Sequence, residues 1–498
     1  MLKIRQIPID TYPENTAFLL RHGSGYSAEQ FQALRKLRIW GAATGEMREI
    51  LATLAVVDDP AMLEAGELGL GEQAFQRLGL PEGAGVEIAQ ARPPASLESV
   101  RRKIDGEALS DSELAAIIED IAAYRYSHME LAAFVVACAG FMTTQETLAL
   151  TRAMVDVGNR LTWDAPLVVD KHCIGGIPGN RTSMIVVPIM AAHGLLCPKT
   201  SSRAITSPSG TADTMEVLAH VDIAEDRLTE IVAAEKAVLA WGGRMRLSPA
   251  DDVLISVERP LRIDTMEQMV ASIISKKVAA GSTHLVLDIP VGPTAKVRSQ
   301  SDAVRLRKLF EYVARHMGLE LKVVFTDGSQ PVGRGVGPVL EARDVMAVLN
   351  NEPDAPEDLR ERAVMLAGHM LDFDPAIPGG KGYARALELL ASGAALAAME
   401  RLIDAQGRKM ERLAPGHLKH DIKAARAGRI TAIDCERIAR IARQAGAPMD
   451  KGAGVDLLVK AGAEVRSGEA MYRIHASTQT GLDFACDLAN EDTGYRIA

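Results

Sequence analysis

Between Pro166 and Leu218 the chain reads PLVVDKHCIGGIPGNRTSMIVVPIMAAHGLLCPKTSSRAITSPSGTADTMEVL, and this segment constrains the fold more than any other. An apolar run, Pro166 to Val169, ends in Asp170-Lys171-His172, and a glycine-rich loop follows through Asn180. After a second apolar segment comes a hydroxyl-dense loop, from Lys199 through Arg203 to Asp213. In open α/β sheets, loops beyond strand carboxyl ends are where ligands bind. Two such loops bring backbone N–H groups, a cation and hydroxyls close together, which suits a phosphate-like anion. The first loop is not a Walker A loop, because Gly-Lys-Ser/Thr is missing at its end and its cation comes first. The plainer alternatives are an ordinary glycine-rich turn and a solvated hydroxyl loop with a helix cap at Thr211 or Asp213.

At 498 residues the chain is too long for one ordinary domain. The pattern predicts a multidomain α/β protein. Residues 1–92 read as a small β-rich, barrel-like domain. KIRQIPID and AGVEIAQA alternate like strands, with a short helix over Ala28 to Leu37. Prolines in RPPAS (92–96) mark a linker. Residues 97–162 read as a helical domain. Ser110-Asp111-Ser112-Glu113 and Thr143-Thr144-Gln145-Glu146 are capping boxes, and Leu114, Ile117, Ile118 and Ile121 recur at helical spacing. Residues 163–345 alternate strands (167–170, 283–291, 321–326) with helices such as Met266 to Ala280, which predicts a mainly parallel sheet. Residues 346–440 read as helical, and residues 441–498 as a closing β-rich, α+β domain.

A net charge of −9 and 4% aromatic content argue against a nucleic-acid partner. Cys138, Cys173, Cys197, Cys435 and Cys486 form no CxxC pair, so no zinc site or disulfide framework is expected, and a reducing cytosol fits. MLKIRQIPID lacks a signal-peptide core. The longest apolar stretch, Leu131 to Met142, falls short of the roughly 18 residues of a membrane span. A cytoplasmic protein without membrane partner or metal is the expectation.

Other clusters admit two readings. Ser272 and Lys276 share a helical face after Glu258-Arg259-Pro260-Leu261-Arg262-Ile263-Asp264, yet Lys276-Lys277 also fits a surface helix with solvated lysines. Lys296 alone would be a loop lysine, Gly333 to Gly337 a turn, and His193 a core or helix-end histidine.

Taken together, DKHCIGGIPGN, SSRAITSPSGTADTMEVL and ASIISKKVAAG resemble the thymidine phosphorylase family of type II nucleoside phosphorylases, over about residues 97 to 498. The N-terminal part resembles the extra domain of AMP phosphorylases, the long form. The resemblance implies phosphorolysis: inorganic phosphate, a co-substrate with no other cofactor, attacks the sugar C1′ and the base departs. It implies that Lys171, Ser183, Ser201 and Thr211 bind phosphate. It places His172 near sugar and base, and makes Asp264 the proton donor to the leaving base, with burial raising its pKa. Nucleotide contacts would come from Gly176, Ser202, Arg203, Ala204, Ile205, Thr206, Ser207, Ser272, Lys276 and Lys296, with Arg203 able to fork onto a phosphate.

Departures from the family pattern bear on the substrate. Val257 stands where thymidine phosphorylases carry a base-gripping arginine, Lys296 where they carry an aromatic, and Cys173 where serine is common. Pro208-Ser209 replaces a Gly-rich pair. These lean toward a nucleoside 5′-monophosphate, with thymidine or another pyrimidine nucleoside second. An anthranilate-type phosphoribosyltransferase ranks lower, because that chemistry holds magnesium on an acidic pair and the chain has no Asp-Glu dipeptide. A binding protein that kept the fold is the non-catalytic alternative. The family habit implies a homodimer or larger homo-oligomer.

Overall fold

The computed structural model describes residues 1–498 apart from 12–13, 23–35, 44 and 205–206. It divides into two compact units, Met1–Gly158 with Ser248–Ser272, and Asn159–Leu247 with Ile273–Ala498.

In the first unit six strands close a barrel: β1 (Leu2–Ile7), β2 (Thr16–Leu20), β3 (Lys36–Ala43), β4 (Glu46–Val57), β5 (Glu67–Gly71) and β6 (Gly85–Gln90). Their order is β1-β5-β2-β4-β3-β6, and Leu2 opposite Val86 closes the ring. Alternate residues point inward, so Leu2, Ile4, Leu37, Ile39, Leu68, Leu70 and Ile88 form the core. Of the helix expected over Ala28 to Leu37, residues 28–35 lie outside the described residues. Lys36 and Leu37 are not helical but open β3, because Leu37 and Ile39 alternate into the barrel while β3 pairs with β4 from Lys36↔Thr53 onward.

The same unit holds a helical bundle built from Leu97–Ile104, Asp111–Ala122, His128–Gly140, Thr144–Asp156 and Pro249–Leu261. Leu114, Ile117, Ile118 and Ile121 are buried in it as their spacing predicts. Ser110 and Thr143 form the two expected capping boxes, and Ser127 with Glu130 forms a third.

The second unit is organised by parallel strands: β7 (Val169–Cys173), β8 (Cys197–Ser201), β9 (Ala237–Trp241), β10 (His284–Val291) and β11 (Glu320–Asp327). β11-β10-β7 and β8-β9 are each parallel, and a parallel bridge between Val168 and Leu196 links them. The almost wholly apolar helix Ser183–His193 packs in the main core of this unit.

Two loop assignments are corrected. Lys171 and His172 belong to β7, paired with Val286 and Leu287, and Lys199, Thr200 and Ser201 belong to β8. Charged residues persist inside these strands because they neutralise one another there.

The span 346–440 begins as expected with helices Glu357–Leu371, Gly382–Ala391 and Ala394–Gln406, but it is not helical throughout. With β12 being Gly335–Val336, it contains β13 (Leu418–Lys423) and β14 (Gly428–Ile433). Both pair with strands further along the chain: β15 (Gly454–Leu457), β16 (Glu464–Val465), β17 (Ala470–Ala476) and β18 (Tyr495–Ile497) form sheets β12-β15-β17-β13 and β16-β14-β18. Tertiary pairing decides these segments, while local composition had suggested helix. Helices Cys435–Gln444 and Gln479–Glu491 cover this region. The Gly333 to Gly337 stretch is thus partly a strand. A side chain at Gly454 would meet the Val336 carbonyl at 2.2 Å, so the β12–β15 approach requires glycine there. Among the described residues no helix is long and apolar enough to cross a membrane.

Candidate active site

The carboxyl-terminal end of β7 sits in a buried charge cluster. Asp170 accepts from Lys277 Nζ at 2.6 Å and lies 3.2 Å from Lys199 Nζ. Lys171 Nζ donates to Thr182 Oγ1 at 2.7 Å and lies 3.9 Å from Asp288 Oδ2. Asp288, inside β10, also accepts from Thr326 at 2.6 Å and Asn180 at 3.4 Å. Arg181 Nε lies 2.8 Å from Glu341. All these ions are at most 7% exposed. Within this set four cations (Lys171, Lys199, Lys277, Arg181) face three carboxylates (Asp170, Asp288, Glu341). Burial, opposed by Asp170, lowers the Lys277 ammonium to about 7, so near neutral pH the set lies close to charge balance, as buried ions require.

The environment sets protonation. Burial alone would raise the Asp170 carboxyl, but Lys199 and Lys277 outweigh it and hold the group below its usual range. Burial pulls the Lys171 ammonium down, opposed by the Asp288 carboxylate. His172 is pushed well below 6.5, first by burial and then by Lys277 and Lys199, so it is a neutral imidazole at neutral pH. Burial lifts the Cys173 thiol to about 12, so it stays protonated, and its sulfur accepts from Asn180 at 3.3 Å.

The glycine-rich loop then turns sharply. Gly176 has φ +87°, and a Cβ there would sit 2.8 Å from the Lys296 backbone nitrogen. The structure therefore brings Gly176 and Lys296 together. Ser183 is the first residue of the eleven-residue helix Ser183–His193 and is buried.

In the second loop Ser201 ends β8, and its buried hydroxyl has no hydrogen-bond partner among the described residues. Ala204 N donates to Asp213 at 2.7 Å and Ser207 Oγ to the Ser209 carbonyl at 2.6 Å, while Ser202 is exposed. Ile205 and Thr206 lie outside the described residues. Thr211 opens the short helix Thr211–Met215 and accepts from Arg181 Nη1 at 3.3 Å.

Several site expectations change. Arg203 forks onto Glu216, with both contacts at 2.7 Å, touches Asp213 at 3.3 Å and lies over the Trp241 ring. Its bidentate geometry is taken up by a carboxylate of its own chain, whose pKa the arginine, against burial, holds to about 2. Lys277 is buried on Asp170, not solvated, because the sheet carboxylate demands a partner. Lys276 beside it is half-buried. Asp264 and Ser272 belong to the first unit. Asp264 is exposed, at the turn between helices Pro249–Leu261 and Met266–Ala279, so the expected burial is not seen. Ser272 is half-buried, and Val257 is a core residue of the bundle. His193 ends its helix as expected, 3.0 Å from Asp374. Sequence reasoning missed Arg181, Lys199, Lys277, Asp288 and Glu341. The usable signal was a charge inside an apolar strand, as in HLVLDIPV, since such a charge needs a buried partner. Among the described residues no group of three or more His, Cys, Asp or Glu is placed to hold a metal ion.

Comparisons with known proteins agree with this architecture. The helical bundle domain of a glycosyl transferase family matches residues 97–158, and its a/b domain matches 165–396. The pyrimidine nucleoside phosphorylase C-terminal domain matches 429–496. The anthranilate phosphoribosyltransferase of Thermus thermophilus superposes with a TM-score of 0.51 at 21% identity, covering 62% of this chain and 99% of that one, a likeness of fold. The helical bundle and the parallel α/β domain, with these family matches, define a pentosyltransferase. Two relatives named "Putative thymidine phosphorylase" align over all of this chain and 96% of their own length. They come from Methylococcus capsulatus (strain Bath), at 58% identity, and Rhodopseudomonas palustris (strain CGA009), at 56%. The chain belongs to the thymidine phosphorylase family.

Proposed function

We propose that the protein cleaves the N-glycosidic bond of a nucleoside 5′-monophosphate or nucleoside with inorganic phosphate. The observation that carries this is the buried cluster of basic side chains, Lys171, Lys199, Lys277 and Arg181, beside the neutral His172. Phosphate held by Lys171 and the hydroxyls of Ser183, Ser201 and Thr211 attacks C1′ as the C1′–N bond breaks through an oxocarbenium-like state. The anion offsets the developing positive charge, so a preorganised cradle supplies much of the acceleration. Neutral His172 serves as a hydrogen-bonding partner for sugar or base. The family resemblance assigns Asp264 the proton for the departing base, although its exposure supplies none of the burial that would raise its pKa. The products are free base and a (deoxy)ribose 1-phosphate, or ribose 1,5-bisphosphate from a 5′-monophosphate.

A 5′-monophosphate is the first choice. Lys296, held against Gly176, offers a cation for a second phosphate, and Val257 supplies core packing where the family's arginine grips a pyrimidine. Thymidine comes second, supported by the names of the relatives and the C-terminal domain match. The reading includes a homo-oligomer in the cytoplasm. It also includes functional segments at 1–92, 97–162, 163–345, 346–440 and 441–498, with β13 and β14 passing from the fourth to the fifth.

Phosphate-dependent release of base from AMP, CMP, UMP and thymidine, measured side by side, tests the proposal. At least one is expected to turn over, and Lys171→Ala to abolish it. Release from none, or full activity without Lys171, rejects the phosphate assignment. Lys296→Phe is expected to raise KM for AMP about tenfold or more, the worth of one charge-assisted hydrogen bond, with little change for a nucleoside. Equal effects on both reject the 5′-phosphate role.

A further inference from the structure

Arg181 follows the glycine-rich loop, yet its side chain is only 9% exposed and leaves that loop altogether. Nη1 donates to Thr211 Oγ1 at 3.3 Å. Nε lies 2.8 Å from Glu341 Oε2, close in distance but off-line in angle, which makes this a charge contact and not a hydrogen bond. Glu341 is itself fixed in the helix Pro338–Leu349. It accepts from Gly337 N at 3.1 Å and from Thr214 Oγ1 at 3.1 Å, and Thr214 also meets Ser209 Oγ at 2.8 Å. One guanidinium therefore ties three segments: the glycine-rich loop, the hydroxyl loop, and the helix that carries its counter-ion.

We propose that Arg181 is a positioning residue for the phosphate site, acting through the Thr211 hydroxyl. This deepens the proposed function and rests on its reading of Thr211 as a phosphate ligand. A threonine hydroxyl has one hydrogen and two lone pairs. With an arginine N–H already on its oxygen, the Thr211 hydrogen must point away from the guanidinium, so the group faces a ligand as a donor. The adjacent cation polarises that O–H and strengthens the bond it gives to an anion. Glu341 keeps the arginine from turning onto the anion itself. The charge of Arg181 is also felt at Lys171, whose ammonium it disfavours when no anion is present. Bound phosphate would relieve that repulsion.

The test is a double-mutant cycle on the full-length protein, read by calorimetric titration with inorganic phosphate. Arg181→Ala and Thr211→Ala are each expected to weaken phosphate binding about tenfold or more. The double variant is expected to bind little worse than the weaker single, because the two residues act as one unit. Phosphate KM should rise in step, while nucleoside or nucleotide KM stays within about twofold. A merely structural arginine would move both KM values together and add to the effect of Thr211. Unchanged phosphate affinity in Arg181→Ala, or fully additive losses, overturns the proposal. If that variant does not fold, Arg181→Lys decides. A single ammonium cannot reach both partners as a fork does, so weaker binding is expected and unchanged binding overturns the proposal. A wild type that binds phosphate through Arg181 but releases no base leaves this inference standing and removes the proposed reaction. A wild type that binds no phosphate removes both.

Discussion

Asp170 serves two lysines at once, and the same two lysines add to the effect of burial on its neighbour His172. Burial among ammonium groups lowers the His172 pKa, so folding excludes a proton that the unfolded chain accepts below about 6.5. The unfolded state then binds more protons, and stability falls as pH drops below that value. Replacing His172 with Gln is expected to flatten this dependence between pH 7.5 and 5. Denaturant unfolding checks it, with at most about 1.4 kcal/mol per pH unit at stake. An unchanged slope would place the pH dependence elsewhere. Lys171 and His172 were legible because a dense polar cluster ends an apolar run. Lys199 and Lys277 were not, since their shared partner Asp170 lies 29 and 107 positions away in sequence and only the folded sheet joins them. The Arg203–Glu216 fork stayed hidden for a related reason: a guanidinium suits phosphate and carboxylate equally well, and Glu216 lies within its reach.

Local signals fared better among the elements. A capping box closes within three residues, so Ser110 and Thr143 announce helix starts directly, and Ser127 carries the same signal unread. Glu146 shows that one residue can serve both cap and core. It caps Thr144–Asp156, and it also takes the fully buried Lys103 at 2.6 Å and the Leu109 N–H at 2.9 Å. Thr143→Ala should therefore cost about 1 kcal/mol. Glu146→Ala should cost roughly 3–5 kcal/mol, because a buried ammonium is stranded. Equilibrium denaturation of both variants checks the contrast, and equal losses would refute it. Strand limits were harder to read. β7 and β8 run on through Lys171 and Lys199 because their charges are neutralised inside, whereas charge in a sequence reads as loop.

At the scale of the molecule, the alternation of apolar strands and helices correctly predicted a parallel sheet. Long-range pairings stayed hidden, since strand partnership depends on chain brought from far away. The parallel β1–β5 and β2–β4 pairings of the barrel are examples, as is the recruitment of Pro249–Leu261 to the bundle. The hydroxyls of the second loop were recognisable only as a class, because several serines and threonines there could serve a ligand equally.

β12 contributes just two residues, yet it forms the edge of a sheet whose other members all come later in the chain. Val336 meets Val455 only after roughly 120 more residues have been made. During synthesis the region around β7–β11 must therefore wait with that edge unpaired and Val336 uncovered. An edge of two residues offers little for another chain to pair with, so its shortness protects the emerging polypeptide until the distal partner arrives.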